Sequence, residues 1–107
     1  GKTLRRLRIV SEPVTDYIRF EYLDAAKLVE SGEDVRWLPR RSATTLLLPG
    51  NDFWLYDHET AVFGHFSGDG HVVGHEISRD SVIIANCTEA FEAAWKLAIP
   101  HDKYTPT

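Results

Sequence analysis

The chain is poor in cysteine, methionine and long apolar runs, and these shortages exclude whole classes of protein. Cys87 is the single cysteine among 107 residues, so no disulfide can form within the chain. No apolar run approaches the roughly 18 residues that a membrane-spanning helix needs, and no charged-then-apolar leader opens the sequence. We therefore expect a cytoplasmic protein without a membrane partner.

Positive charge is also scarce. The 12 Lys and Arg residues are outnumbered by 16 Asp and Glu, and the net charge of −4 means that the surface as a whole does not attract nucleic acid. The sequence has basic residues concentrated at the N-terminus and at one central pair: Lys2, Arg5, Arg6, Arg8, Arg40 and Arg41. We interpret them as solvated surface, and DNA binding through the N-terminus ranks last among three functional hypotheses.

Catalytic and metal-binding motifs are missing as well. No serine lies in a Gly-x-Ser-x-Gly elbow, and no glycine-rich loop precedes a basic residue as in a phosphate-binding loop. The five histidines lack the spacings of zinc ligands. In a hairpin that turns at Gly68-Asp69, His65 lies opposite Val72 and points away from the face of His71 and His75. We predict no metal site, no cofactor and no catalytic residue.

The first third of the chain has the pattern of a strand, a helix and a second strand. Leu7 and Ile9 alternate with arginines, which is the period of a half-buried strand. Apolar residues recur every three or four positions over residues 16–31, and this spacing predicts an amphipathic helix that Gly32 ends. Residues 35–38 are rich in strand formers, and if this second strand neighbours the first across the helix, the two should be parallel with a right-handed crossover.

The second half predicts a meander and a final helix. Strands are expected at residues 52–56, 61–66 and 71–78, with turns at 57–60 and 68–70. Ser78 or Asp80 can cap the helix, which Pro100 stops, and Cys87 lies on its apolar stripe, where a thiol is usually buried and inert. Residues 43–48 are compatible with a strand, a helical turn or a loop.

These elements predict an α+β fold in the order β-α-β-β-β-β-α, with a mixed sheet of about five strands and two helices packed on it. The length of 107 residues suits a single domain spanning residues 1–107. Because the sequence opens on Gly1 and leads directly into a strand, we expect the domain to be the C-terminal part of a longer protein.

Two arginines outside the basic clusters are candidates for binding an anion. Arg19 lies on the first predicted helix, and Arg36 is flanked by Val35 and Trp37. A guanidinium near aromatic groups suits bidentate binding of a carboxylate or phosphate. The alternative for both is an ion pair with an acidic neighbour.

Three further candidates lie on the meander: Trp54, Asp57 and His65. Trp54 shares a strand face with Tyr56, opposite Phe53, and an uncovered face of this kind could bind a planar ligand or a partner. Asp57 could serve in a carboxylate pair with Asp52, but the separation of the two residues places them on opposite strand faces, and a turn role is the alternative.

Several segments together resemble an uncharacterised actinobacterial family, the domain of unknown function 6879, which is often encoded beside helix-turn-helix regulators. The segments are residues 16–21 (DYIRFE), 32–37 (GEDVRW), 52–57 (DFWLYD), 65–70 (HFSGDG) and 92–95 (EAAW). The resemblance spans nearly the entire chain. It implies a regulatory setting and an additional N-terminal segment, and it supplies no established activity.

A weaker resemblance is to one half of the phospholipase D fold, in which a Gly-x-x-Val-Arg step leads into a strand before the catalytic histidine, lysine and aspartate. Residues 32–36 are similar to that step. The overlay places Gly50 at the histidine, Asp52 at the lysine and Asp57 at the aspartate. The resemblance therefore implies a phospholipase-D-half-like domain whose active site is degenerate.

Two functional hypotheses remain ahead of DNA binding. The first is a non-catalytic regulatory module that recognises a small anionic ligand or a partner protein, such as a helix-turn-helix regulator. The alternative is a phosphodiesterase or nuclease that uses His65 as base or nucleophile, with Arg36 holding phosphate.

Overall fold

The computed structural model describes residues 4–107, so Lys2 of the N-terminal basic cluster lies outside the described residues. The main elements are β1 (Arg5–Val10), α1 (Asp16–Glu30), β2 (Asp34–Pro39), β3 (Asp52–Tyr56), β4 (Thr60–Phe66), β5 (Val72–Ser78), α2 (Ser81–Leu97) and β6 (Ile99–Pro100). They follow the predicted order as far as α2, and β6 was not predicted. Short 3-10 helices occupy Arg40–Ala43 and His101–Lys103. The chain is thus α+β, as predicted.

The strands form two separate three-stranded sheets, so the prediction of a single mixed sheet of about five strands is wrong. One sheet has the order β1-β2-β6 and the other the order β3-β4-β5. The physical reason is that β6 pairs with β2 on the side away from β1, so no strand of the meander pairs there. The sequence did not predict β6, because a two-residue strand is too short to give a periodic signal. The chain divides into two units, the first comprising residues up to Thr45 and Ala94–Thr107, the second Leu46–Ala93.

In the first unit, β1 and β2 pair in parallel, as expected, and β6 is antiparallel to β2. Alternation along β2 directs Trp37 toward α1, and Arg36 therefore lies on the opposite face of the sheet. The buried core beneath α1 consists of Val10, Val14, Ala25, Val35, Trp37 and Tyr104. Burial of these apolar side chains is what holds α1 on the sheet.

Local chemistry sets both ends of α1. The Thr15 hydroxyl accepts a hydrogen bond from the backbone N–H of Ile18, which satisfies one of the unpaired donors of the first turn. Gly32 follows the helix at φ +97°, a conformation that side chains with a Cβ rarely adopt. Its N–H bonds the carbonyl of Val29, so the predicted stop at Gly32 is confirmed.

The arginines of β1 are not simply solvated. Arg6 forms an ion pair with Glu33 at 3.0 Å, and Arg8 pairs with Glu21 on α1. These residues alternate with the apolar positions of β1 as predicted, but their face of the sheet is the one that α1 covers. The long side chains reach past the core and place their charges at its edge.

The second unit contains the predicted antiparallel meander. The turn between β3 and β4 has positive φ at both Asp57 and His58, and the N–H of Glu59 bonds the carbonyl of Tyr56. Such a turn matches the twist of a hairpin. The turn before β5 uses Gly70 at φ +88°. The turn role considered for Asp57 is therefore confirmed.

The register between β4 and β5 differs from the prediction. His65 lies opposite Gly74 instead of Val72, and an irregularity between His65 and Phe66 absorbs the extra residue. Because the shift is two residues, the face of each side chain is unchanged. His65 therefore still points away from His75, as the sequence indicated.

The final helix, α2, is capped by Asp80, whose carboxylate accepts hydrogen bonds from the N–H groups of Val82 and Ile83. Cys87 is buried on it, as predicted, and burial raises the pKa of this thiol. Within residues 4–107, no helix has both the length and the apolarity needed to cross a bilayer.

Candidate functional site

The two candidate arginines do not share a surface. Arg19 is exposed on α1, which packs on the Trp37 face of the first sheet, whereas Arg36 extends from the opposite face. They therefore cannot bind one small anion together.

Arg36 is engaged with Trp95, another residue of its own unit. Its Nη1 donates to the carbonyl oxygen of Trp95 at 3.1 Å, and the guanidinium carbon lies 4.2 Å from the centre of the Trp95 ring. Asp34 is 3.9 Å from Nε, consistent with the ion-pair alternative for this residue. The guanidinium thus combines a hydrogen bond, a cation–π contact and a nearby carboxylate.

Asp57 and His65 lie at opposite ends of the second sheet. Asp57 is in the turn before Thr60, and His65 is five residues farther along β4, which is about 17 Å at the rise of an antiparallel strand. The Nε2 of His65 lies 3.2 Å from Oε1 of Glu76 on the neighbouring strand. The two candidates therefore do not meet at one reacting centre.

Trp54 belongs to the other face of the same sheet. It lies opposite Val62 of β4, which in turn lies opposite Ile77 of β5, so the three side chains point to one side. The Trp54 ring lies across Gly64, and its centre is 6.4 Å from that of His75. Trp54 and His65 therefore project from opposite sides of the sheet.

Five residues form what we call the aromatic face of the second sheet: Trp54, Tyr56, Phe66, His75 and Ile77. The exposed fractions of its large apolar members are 42% for Trp54, 56% for Tyr56, 46% for Phe66 and 66% for Ile77. A face of this composition is apolar but carries polar tips at the Tyr hydroxyl, the indole N–H and the imidazole. It can bind an apolar surface and also donate hydrogen bonds.

Sequence reasoning found Trp54 and Tyr56 on this face but missed Phe66, His75 and Ile77. Their faces did not depend on the exact register of β5, because the two-residue shift leaves every side chain on the same face of the sheet. The signal that could have found them is the alternation of side chains, along β4 for Phe66 and along β5 for His75 and Ile77.

The opposite face of the second sheet is its packed side. The rings of Phe53 and Phe63, which lie opposite each other on β3 and β4, have centres 6.1 Å apart, and Ala61 is fully buried. An apolar interior face explains why this meander forms a stable sheet. It also makes the exposure of a second apolar face unusual for a small sheet.

Two features among the described residues bear on metal binding and nucleophilic attack. No group of three or more His, Cys, Asp or Glu side chains among residues 4–107 could hold a metal ion. Cys87 is buried, and the raised pKa of its thiol disfavours the thiolate that nucleophilic attack requires.

Comparison with known proteins gives a family and no closer relative. The model of the family described as a domain of unknown function (DUF6879) matches residues 1–106. No curated protein and no solved structure matches the chain.

Proposed function

The chain belongs to the DUF6879 family, and from that premise we propose that it is a non-catalytic binding module that recognises a partner protein through the aromatic face. The partner in this proposal is a helix-turn-helix regulator encoded beside it, in keeping with the actinobacterial setting that the family resemblance implies. The observation that carries the proposal is the exposure of four large apolar side chains on one side of one sheet.

The composition of the aromatic face supports a protein partner over a small anion. Trp and Tyr are enriched among the residues that dominate binding energy at protein interfaces, because each buries a large area at a small cost in side-chain entropy. The positions that β3, β4 and β5 direct to this side include no Lys or Arg. An anion would find no positive charge from these strands, whereas an apolar partner surface would fit.

We propose a module without catalytic activity because of the residues that stand at the catalytic positions in the phospholipase D resemblance. Gly50 replaces a nucleophilic imidazole there, and Asp52 replaces a lysine, so the site would lack both its attacking group and its positive charge. The alternative, a phosphodiesterase that uses His65 with Arg36, stays a prediction. Among residues 4–107, the contacts of Arg36 do not favour it, since its guanidinium is directed to the carbonyl oxygen of Trp95.

The experiment is a calorimetric titration of the purified domain with the regulator encoded beside it. Replacing a central interface tryptophan typically costs at least about 2 kcal/mol, so Trp54→Ala should weaken binding by roughly 30-fold or more. Phe20→Ala is the matched control, because Phe20 is also an exposed aromatic residue but lies on α1 of the first unit. It should change the affinity less than about threefold.

Two outcomes contradict the proposal. One is that the regulator gives no binding with the unaltered domain. The other is that Phe20→Ala weakens binding as much as Trp54→Ala does. Circular dichroism of both variants ensures that a loss of binding reflects the surface and not the fold.

A further inference from the structure

A cavity of about 210 Å³ lies at the carboxyl ends of the two parallel strands of the first unit. Its lining residues follow β1 and β2 in the chain: Ser11, Glu12, Pro39, Arg40 and Arg41. The carboxyl ends of parallel strands are where open sheets with helical crossovers commonly bind ligands. The volume is below the roughly 300 Å³ at which pockets for drug-sized molecules begin, so a small ion suits it better than a cofactor.

Glu12 supplies a buried carboxylate with one unused oxygen. Its side chain is 10% exposed. Oε2 accepts hydrogen bonds from the Tyr104 hydroxyl at 2.8 Å and the Thr107 hydroxyl at 3.2 Å. Oε1 is buried and has no hydrogen-bond partner, although Nη2 of Arg41 lies 3.4 Å away. Leaving a buried acceptor without a donor costs free energy, which points to a ligand that donates a hydrogen bond to Oε1.

The two arginines supply the positive charge of the cavity. Arg41 is 80% exposed and contacts Glu12 with one nitrogen, which leaves most of its five N–H donors available. Arg40 is exposed, and within residues 4–107 no ion pair or hydrogen bond holds its guanidinium. Two guanidinium groups against one carboxylate leave the lining with an excess of positive charge, which favours an anion.

We propose that this cavity binds inorganic phosphate in a protonated form. The P–O⁻ oxygens accept hydrogen bonds from Arg40 and Arg41, and a P–OH group donates to Oε1 of Glu12. Binding requires Arg41 to turn from Oε1 toward the anion, and an exposed side chain with one ion-pair contact can make that movement. Ser11 places a hydroxyl at the same cavity.

The carboxylate of Glu12 in the lining allows the site to discriminate among oxyanions. Ionised Glu12 can only accept hydrogen bonds. Inorganic phosphate retains a proton at neutral pH, whereas sulfate has none to donate. A phosphate monoester loses its last proton near pH 6, so above neutrality it resembles sulfate in this respect. The site should therefore select free phosphate over sulfate and over phosphoryl groups on other molecules.

The experiment is calorimetry at about pH 7.5 with inorganic phosphate, sulfate and a phosphate monoester at matched ionic strength. Phosphate should bind about tenfold more tightly than either other anion, because only phosphate gives Oε1 of Glu12 a hydrogen-bond donor, and tenfold corresponds to about 1.4 kcal/mol. Glu12→Gln should remove this preference, because a carboxamide can donate to sulfate. The double variant Arg40→Ala/Arg41→Ala should bind none of the three anions measurably.

Arg79→Ala is the control, because Arg79 is an exposed arginine of the second unit that does not line the cavity. It should bind phosphate as the unaltered protein does. Arg40 and Arg41 are exposed, so we expect the double variant to fold. It therefore tests the proposal even if Glu12→Gln fails to fold. Equal affinity for phosphate and sulfate, or no phosphate binding at millimolar concentration, overturns the proposal. Binding that survives the loss of both arginines overturns it as well.

Discussion

The ring of Trp54 lies across the backbone of Gly64 on the neighbouring strand. A Cβ built on Gly64 would be 3.2 Å from Cζ3 and 3.4 Å from Cη2 of Trp54, and 3.4 Å from Cε2 of Phe66. A glycine inside a strand often marks a place where another group approaches the backbone closely. Here it lets atoms of the Trp54 and Phe66 rings approach the backbone of β4 closely.

Gly64→Ala tests that relationship. The added methyl group should push the Trp54 ring outward by a few tenths of an ångström, and the half-exposed ring can yield. Removing a glycine from a strand interior gains about 0.5–1 kcal/mol, which offsets the tighter contact. We expect the free energy of unfolding in urea to change by less than about 1 kcal/mol while Trp fluorescence shifts. A loss of several kcal/mol would mean that the ring cannot move.

Two tryptophans should differ widely in their contribution to stability. Trp37 is 1% exposed, and its indole N–H donates to Nδ1 of His101 at 3.0 Å, so Trp37→Ala should cost about 3–5 kcal/mol. Trp54→Ala removes a ring that is partly in solvent and should cost about 1 kcal/mol. Urea unfolding of both variants measures the difference. Similar costs would contradict the assignment of Trp54 to a binding surface.

Most of the elements were predictable because each carries a local signal. The alternation of Leu7 and Ile9 with arginines, the spacing of α1 and the turn residues at Asp57 and Gly70 are all properties of short windows. Pairing between distant segments has no such signal. The two residues of β6 pair with Arg36 and Trp37, and a segment of two residues is too short to carry a pattern that predicts this pairing.

The candidate site was predictable only in part for the same reason. Trp54 and Tyr56 share a face because they are two residues apart on one strand, and this spacing can be read from the sequence alone. The partners on β5 depend on the irregularity beside His65, which is a property of the pairing. Arg36 was a candidate because arginine suits anions, but its guanidinium is held by the carbonyl of Trp95, a contact across 59 residues.

Tyr104 should make stability depend on pH in the alkaline range. Burial, and then the hydrogen bond and charge of Glu12, raise the pKa of Tyr104 to about 12. The folded state thus favours the neutral phenol, whereas the unfolded chain ionises it near pH 10. The stabilisation is complete below about pH 10 and is lost as the pH rises toward 12, by on the order of 3 kcal/mol.

The comparison for Tyr104 is Tyr104→Phe, which has no phenol to ionise. The difference in unfolding free energy between the two proteins should shrink as the pH rises from about 10 to about 12. Urea titrations across that range measure it. A difference that does not vary with pH would show that the phenol is not held neutral by its surroundings.

His101 should make stability depend on pH in the acidic direction. Burial lowers the pKa of His101, and the nearby charge of Asp102 opposes this effect. Because Trp37 donates to Nδ1 of His101, that nitrogen must be unprotonated, and the imidazolium form cannot accept the bond. The folded state therefore binds the proton more weakly than the unfolded chain, so stability is full above about pH 6.5 and falls as the pH drops below it.

His101→Asn retains an acceptor near the Nδ1 position and does not titrate, and the other four histidines remain in both proteins. The unaltered protein should thus lose more unfolding free energy than His101→Asn between about pH 7 and pH 5. Parallel curves would mean that the imidazole accommodates its proton by releasing Trp37 at no cost.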